Sequence, residues 1–465
     1  LLKGISKVHF IGIGGYGMSA LAYILLQAGY DIRGSDLKPS GLTELLEKEG
    51  SKIYIGHRAE QLGDAQLVVY STAIPSHNPE IESAREKGIP LWHRSELLAA
   101  ILNEGCGIAI AGTHGKTTTT AMVSLVMEKG GLDPTAVIGG EVSFFQGNAR
   151  LGNSKYVVAE ACESDHSFLR YRPYLAVVTN IEADHLEHYN GDFAGLVETY
   201  GDFINNVDKN GMAILCGDDP ILQDLRPRLR PPLMSYGFSG HVDIRGEKVR
   251  LEKLGSRFQV YFRNKCLGEI VLKVPGKHNI LNALAAAGVA LYLGIDFSFV
   301  QEALSVFEGA KRRFEIIGER EGIMIVDDYA HHPTEIKVTL QAARQSGRRL
   351  ICVFQPHRYT RTNFLWNDFV EAFDSADVIL LNDIYSAGEE PIPKVTSQRL
   401  AQEIKDRGHN QVHVIKDKEE LVQSLEKIAK RGDLILTMGA GDIWQVGRKF
   451  LERVPSHLNS SPNCS

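Results

Sequence analysis

The stretch Val8-His-Phe-Ile-Gly12-Ile-Gly14-Gly15-Tyr-Gly17-Met-Ser19 decides how the chain is read. A short apolar run, Val8 to Ile13, enters a G-x-G-x-x-G turn, and a helical stretch, Met18 to Ala28, leaves it. Glycines at these positions allow a tight turn and let the backbone approach a pyrophosphate lying on the helix N-terminus. Asp36 lies 19 residues past Gly17, at the end of the next expected strand, Asp31 to Arg33. An acid there accepts hydrogen bonds from a ribose hydroxyl. The bland alternative is a glycine turn that serves only helix–strand packing. Taken alone, the loop favours NAD and a dehydrogenase.

Outward from this turn the alternation continues, with a strand at Leu67 to Tyr70 and a helix at Glu80 to Lys87. Such alternation implies βαβ units and a parallel sheet. A second series begins near residue 100, with strands at Gly107 to Ala111, Tyr156 to Ala159 and Ala176 to Thr179. Apolar residues alternate between Val242 and Val274, which predicts a small antiparallel insertion, and a helix from Asn279 to Leu293 comes next. A third series has strands at Ile323 to Val326, Leu350 to Phe354, Val378 to Leu381, Val412 to Ile415 and Leu434 to Met438. The fold class is therefore α/β, with three consecutive α/β domains. They are a Rossmann-like N-terminal domain (1–100), a P-loop-type central domain with the antiparallel insertion (101–311), and a Rossmann-like C-terminal domain (312–465). The tail after Pro455 is polar and reads as frayed.

Composition narrows the class. The 465 residues are 43% hydrophobic and 23% charged, which is ordinary for a globular protein. A net charge of -6 offers no basic stripe for sequence-independent nucleic-acid binding. It leaves anionic substrates open, because a few placed cations and backbone amides suffice for those. No apolar stretch reaches the roughly 20 residues of a membrane span, and the N-terminal run lacks a signal-peptide core. Six scattered cysteines without a C-x-x-C pair fit a reducing cytosol and argue against structural zinc. A cytoplasmic location is expected.

A second loop, Gly112-Thr113-His114-Gly115-Lys116-Thr117-Thr118, lies between an expected strand and a helix. The strict G-x-x-x-x-G-K-[ST] pattern fails, because residue 110 is Ile. The physics of the pattern holds: amides at a helix N-terminus surround phosphates, Lys116 supplies a point charge, and the Thr117 hydroxyl reaches Mg²⁺. A chance G-K-T in a loop is the bland reading, and the strand before and four-threonine helix start after it favour a triphosphate site. Two nucleotide loops in separate domains weaken the dehydrogenase reading. One nucleotide serves as fuel and the other as a handle on the substrate.

Eight segments in order resemble the Mur ligase family. They are Gly12 to Ser19, Gly112 to Thr118, Glu160-Ala-Cys-Glu-Ser-Asp165, Asn180-Ile-Glu-Ala-Asp-His185, His278-Asn279-x-x-Asn282, Arg312-Arg-Phe314, Asp327-Asp-Tyr-Ala-His-His-Pro-Thr-Glu335 and His357-Arg-Tyr-Thr-Arg-Thr362. The resemblance covers nearly the whole chain. It implies an ATP-dependent ligase with Mg²⁺ (Mn²⁺ as a possible substitute), taking UDP-N-acetylmuramate and L-alanine, with no nucleic acid and no membrane span. In this reading Gly12, Gly14, Gly15, Gly17, Asp36, His57 and Ser71 hold the UDP part. Without the resemblance, His57 and Ser71 read as surface-loop residues. The resemblance also implies Lys116, Glu160 and His185 as catalytic residues, and Thr117, Glu160 and His185 as metal ligands. Oxygen-rich, water-keeping coordination is what Mg²⁺ on phosphates prefers.

Cys162 departs from the E-A-D-E-S-D of the family, and is expected to lie behind the ligands. No lysine occurs between Lys155 and Lys209, so a carbamylated lysine ligand is not expected. The resemblance further assigns ATP contacts to Gly112 through Thr118, Asn279, Asn282, Arg313, Asp328 and His331. Tyr329, His357, Arg358 and Arg361 are assigned to the amino acid and acyl phosphate. The bland readings are a helix cap for the asparagines, a strand-end acid for Glu160 and a solvated face for the arginine pair. Within the family, folylpolyglutamate synthetase and a tripeptide-recycling ligase compete; the Gly-Met-Ser start and His357-Arg-Tyr-Thr-Arg favour alanine addition. A dehydrogenase explains nothing after residue 110, and a non-enzymatic nucleotide-binding module leaves the acid cluster and the paired histidines unexplained.

Overall fold

The computed structural model describes residues 2–453; the polar tail after Pro455 lies outside them. The first sheet contains β1 (Lys7–Ile11), β2 (Asp31–Asp36), β3 (Lys52–Ile55), β4 (Leu67–Tyr70) and β5 (Leu91–His93), in the order β3-β2-β1-β4-β5. All pairs are parallel. Val8, Phe10, Ile11, Leu67, Val68 and Val69 are buried, as a sheet covered on both faces requires. β2 runs to Asp36, three residues beyond the strand expected from sequence, because Gly34 and Ser35 still pair with β1. Gly34 is needed there: a Cβ would lie 2.6 Å from Ile13 Cδ1 and 2.8 Å from the Phe10 carbonyl.

The second sheet has ten strands: β6 (Cys106–Ala111), β7 (Thr135–Val142), β8 (Gly147–Arg150), β9 (Tyr156–Glu160), β10 (Leu175–Val178), β11 (Met212–Cys216), β12 (Leu233–Gly237), β13 (Ile244–Glu252), β14 (Gly255–Phe262) and β15 (Lys265–Leu272). Their order is β15-β14-β13-β12-β11-β10-β6-β9-β7-β8. The expected insertion is therefore corrected in one respect. β13 continues the central sheet, pairing parallel with β12 through Tyr236↔Ile244 and Gly237↔Arg245. The antiparallel character enters only beyond it, at two-residue turns, which join only antiparallel neighbours. Arg263 and Asn264, both at positive φ, form the second turn.

The third sheet contains β16 (Glu315–Arg320), β17 (Ile323–Asp328), β18 (Arg349–Phe354), β19 (Val378–Leu381), β20 (Val412–Val414) and β21 (Asp433–Met438), in the order β16-β17-β21-β18-β19-β20. Only β16 pairs antiparallel. Successive residues of β18 enter opposite cores: Leu350, Cys352 and Phe354 one, Ile351 and Val353 the other. This is the period-two signature of a doubly covered strand. Three α/β domains thus succeed one another along the chain. By compactness the described residues form two units. One comprises Leu1–Glu247, Gln259–Ile270 and Leu281–Phe307, with the first sheet and most of the second. The other comprises Lys248–Phe258, Val271–Ile280 and the chain from Glu308, with the third sheet. Among the described residues no helix is long and apolar enough to cross a membrane.

Candidate active site

The first glycine loop leaves β1 where strand order reverses between β2 and β4, the switch point at which α/β sheets bind ligands. Gly12, at φ 79°, turns the chain, and its amide and that of Ile13 donate to the Ser35 carbonyl at 2.8 and 3.0 Å. Gly15 caps the helix Tyr16–Gln27 without a side-chain bond, so the first-turn amides keep their anion-binding character. The Asp36 carboxylate accepts from the Gly14 amide at 2.9 Å, which fixes the acid against the loop. A Cβ at Gly14 would lie 3.0 Å from that carboxylate; one at Gly17 would meet only Arg94, at 3.7 Å. Ser71 directly follows β4, and its carbonyl accepts from Ile74, whose side chain covers Gly12. His57 follows β3 and turns Nδ1 onto Ser35 Oγ (2.9 Å) and Glu80 Oε2 (3.0 Å).

The second loop leaves β6, whose neighbours on its two sides are β9 and β10. Glu160 pairs with Ile110 at the end of β9, while Val178 pairs with Ala111 at the end of β10. The loop, Glu160 and the segment from Thr179 therefore share the carboxyl edge of three adjacent strands. Gly112 at φ 130° and Gly115 at φ 83° shape the turn into the helix Lys116–Lys129. Asn180 braces it: its Oδ1 accepts from the His114 amide at 2.9 Å and its Nδ2 donates to the His114 carbonyl at 3.1 Å. Thr113 and Glu182 exchange bonds across the same edge, the Glu182 amide donating to Thr113 Oγ1 at 2.8 Å. His114 Nε2 lies 3.4 Å from Glu182 Oε2. Thr118 is buried in the first helical turn.

Lys116 Nζ donates to the Gly112 carbonyl, to the Thr113 carbonyl at 3.1 Å and to both oxygens of Glu163 at 3.1 and 3.0 Å. Burial opposes its charge, but Glu163 and the neighbouring acids hold its pKa above the ordinary lysine value. A permanent cation is thereby fixed beneath the loop. Glu163 itself is buried; sequence reading placed it only within an acid cluster. Asn282 is also buried, accepting from Thr119 Oγ1 at 3.1 Å, with its Oδ1 filling the place a Cβ at Gly115 would take.

The proposed metal ligands offer suitable donors. Glu160 Oε1 accepts from the Gly139 amide at 2.5 Å, which orients the carboxylate at the strand end. Thr117 is buried in the first helical turn. His185 holds a left-handed backbone, φ 55°, and its Nδ1 is buried without a hydrogen-bond partner, 3.6 Å from Glu187 Oε1. A hydroxyl, a carboxylate and an unsatisfied imidazole nitrogen suit a hard divalent cation. Burial pushes the Cys162 thiol up, with Glu163 adding to it, so Cys162 supplies no thiolate at neutral pH.

In the second unit the carboxyl ends of the third sheet gather aromatic and basic groups. Arg312 is tied down by Asp327 (2.9 Å) and the Gly439 carbonyl (2.6 Å), and its guanidinium lies 5.0 Å from the Tyr329 ring centre. Arg313 lies 5.1 Å from the same ring and 3.8 Å from Glu335. Asp328 is buried and accepts from the Phe314 and Ala330 amides, both at 2.7 Å. Burial outweighs Arg313 and these amides and pushes its carboxyl up to about 7. His331 bonds the Tyr329 carbonyl through Nδ1 at 2.9 Å, and its ring stands 6.0 Å from that of His357. His357 stacks on Tyr385 at 5.5 Å, and burial with Arg361 and Arg358 lowers its pKa to about 4. A neutral imidazole thus sits among cations. Arg361 Nη1 is 3.5 Å from His357 Nδ1, and Arg358, at φ 70°, donates its amide to the Tyr385 carbonyl at 2.8 Å. Asn279 donates to the Pro275 carbonyl at 2.7 Å at the start of its helix.

Tyr329, His331, His357 and Arg361 are therefore brought together, and so are the loop, Thr117 and Glu160. Glu80, Asn148 and Tyr385 were not singled out by sequence. Asn148 donates to the Tyr16 carbonyl at 2.6 Å and to Ser19 at 3.1 Å, joining β8 to the first loop helix. Tyr385 lies four residues past Leu381, the end of β19. That placement beyond the carboxyl end of a parallel strand was the signal available for it.

Family models match three stretches: "Mur ligase family, catalytic domain" at residues 7–105, "Mur ligase middle domain" at 110–290, and "Mur ligase, glutamate ligase domain" at 312–441. A UDP-N-acetylmuramate–L-alanine ligase of Trichlorobacter lovleyi is 48% identical over 452 residues, covering 97% of this chain and 99% of the relative. One of Pelobacter propionicus is 49% identical, covering 96% and 98%. The crystal structure of the UDP-N-acetylmuramate–alanine ligase of Thermotoga maritima superposes with a TM-score of 0.81 at 32% identity, covering 96% of this chain and 98% of that one.

Proposed function

Because the chain belongs to the Mur ligase family, we propose that it joins L-alanine to the lactyl carboxylate of UDP-N-acetylmuramate. The reaction runs through an acyl phosphate and gives ADP and phosphate as co-products. One observation carries the reading: both glycine loops lie at the carboxyl ends of parallel strands within one compact unit, with Asn148 fastening the first loop helix to the central sheet. The UDP part is assigned to Gly12, Gly14, Gly15, Gly17, Asp36, His57 and Ser71, and the ATP phosphates to the Gly112–Thr118 loop. The spans of the three sheets, Lys7 to His93, Cys106 to Leu272 and Glu315 to Met438, support domains at 1–100, 101–311 and 312–465.

A carboxylate does not condense with an amine in water without activation. The lactyl carboxylate attacks the γ-phosphorus of ATP in line, and ADP leaves. Positioning and electrostatics do most of the work in phosphoryl transfer. Lys116, kept cationic by Glu163, stabilises the charge that builds on the transferred phosphoryl oxygens. Thr117, Glu160 and His185 would hold Mg²⁺, or Mn²⁺ in its place, which when bound polarises phosphoryl oxygens. The amine of L-alanine then attacks the acyl carbon, and the tetrahedral adduct collapses to amide and phosphate. Arg358 and Arg361 supply cations for a carboxylate or acyl phosphate. His357, neutral at pH 7, offers a nitrogen lone pair beside them.

Phosphate release is expected only when UDP-N-acetylmuramate, L-alanine, ATP and Mg²⁺ are all present. Release without the UDP sugar would sink the proposal. Lys116→Ala is expected to lower turnover by at least roughly a thousandfold while UDP-sugar binding persists. Loss of both would contradict separate sites for fuel and handle.

A further inference from the structure

A fully buried carboxylate lies under the first sheet's carboxyl edge and has no part in phosphoryl transfer or amide formation. Glu80 stands in the first turn of the helix Pro79–Glu86, its amide capped by Asn78 at 2.9 Å. Its Oε1 is 3.1 Å from His9 Nε2; its Oε2 is 2.5 Å from Ser35 Oγ and 3.0 Å from His57 Nδ1. Ser35 pairs with Ile11 in the sheet, and His57 follows β3 after Gly56, at φ 83°. Burial works against the charge of Glu80, but the bonds from His9 and Ser35 outweigh it and hold the carboxyl below its ordinary range.

An ionised carboxylate only accepts, so each of its partners must donate. Ser35 gives its hydroxyl proton, His9 its Nε2–H and His57 its Nδ1–H. His9 supplies an internal check. Its other nitrogen, Nδ1, is buried without a partner, which suits a bare lone pair better than a stranded N–H. With Nδ1 donating to Glu80, the neutral form of the His57 ring carries its lone pair at Nε2, and the described residues provide no hydrogen bond to that atom. The atom facing Nε2 in a ligand must therefore be a donor.

We propose that Glu80 is a positioning residue that sets the tautomer of His57, and that the resulting Nε2 acceptor selects uracil over cytosine at the nucleoside end of the substrate. Uracil carries a hydrogen on N3, which Nε2 accepts. Cytosine presents a lone pair at N3, so two acceptors would meet and both would stay unpaired. The inference rests on the assignment of His57 to the UDP part.

The test uses the intact protein at about pH 8.5, where histidine is neutral, with UDP and CDP as competitors of the UDP sugar. UDP is expected to compete at least roughly tenfold better than CDP. In Glu80→Gln the amide can donate to His57 Nδ1 and turn the tautomer, so this preference falls roughly tenfold or more. The same change raises KM for the UDP sugar and leaves KM for ATP in place. His57→Gln, at the partly exposed end of the chain of bonds, gives a second reading should Glu80→Gln fail to fold. Its rotatable amide accepts or donates, so it also loses the preference. An undiminished UDP-over-CDP ratio in the folded variants overturns the proposal. A wild-type protein that binds neither UDP nor the UDP sugar overturns the assignment of the first loop itself.

Discussion

At the scale of single residues, charge state depends on what each side chain touches. Glu163, at 3.0 Å, keeps Lys116 cationic against burial, and the ammonium has loop carbonyls as further partners. Asp328 is the opposite case: a buried carboxyl whose two amide donors do not repay lost hydration. Its folded pKa, about 7, stands above the ordinary 3.8, so the folded chain keeps a proton that the unfolded chain loses between those values. Stability from this group is complete below the lower value and declines as pH rises through the upper one. The loss is about 4 kcal/mol at most. Asp328→Asn should flatten this slope, seen in urea unfolding at about pH 5 and about pH 8. A variant with the wild-type slope would assign the pH dependence elsewhere.

At the scale of elements, the second loop depends on a contact from a helix far along the chain. Gly115 needs its left-handed backbone, and a Cβ there would lie 2.7 Å from Asn282 Oδ1. Gly115→Ala should cost about 1–2 kcal/mol from backbone strain alone, with a further cost from displacing Asn282. Asn282→Ala should cost about 1–3 kcal/mol, because it leaves the Thr119 hydroxyl without this acceptor. A double-mutant cycle by urea unfolding should show the two changes to be less than additive, since each disturbs the same contact. Strict additivity would mean the helix Lys277–Leu293 does not support the loop. β13 gives a different lesson: alternation between Val242 and Val274 marked an antiparallel insertion, but pattern alone did not reveal that its first strand pairs parallel with β12.

At the scale of the whole molecule, two compact units carry separate cores. Phe354 is buried against Phe373 and Phe369, with ring centres at 5.2 and 6.0 Å. Phe354→Ala should lower the stability of the second unit by about 3–5 kcal/mol while UDP binding by the first unit persists. Calorimetry with and without UDP would check this, and loss of UDP binding below the first transition would show that the units do not behave separately. The three α/β series and the two glycine loops, with Lys116 in the second, were legible in the sequence, because helix and strand periods, turn glycines and loop lysines are local properties of the chain. The edge strands β5 and β16 were not, since Leu91–His93 and Glu315–Arg320 are half-buried or exposed and mix polar residues into the run, so neither stands out as a core strand. Nor were the partners of Lys116, His57 and His357, which are Glu163, Glu80 and Tyr385. Sequence by itself determined most of the elements and the two glycine turns that lead from strand to helix. Only the tertiary structure decided which acid faces which base, and hence each protonation state, because those pairings join residues on different strands and loops through sheet order that local spacing does not encode.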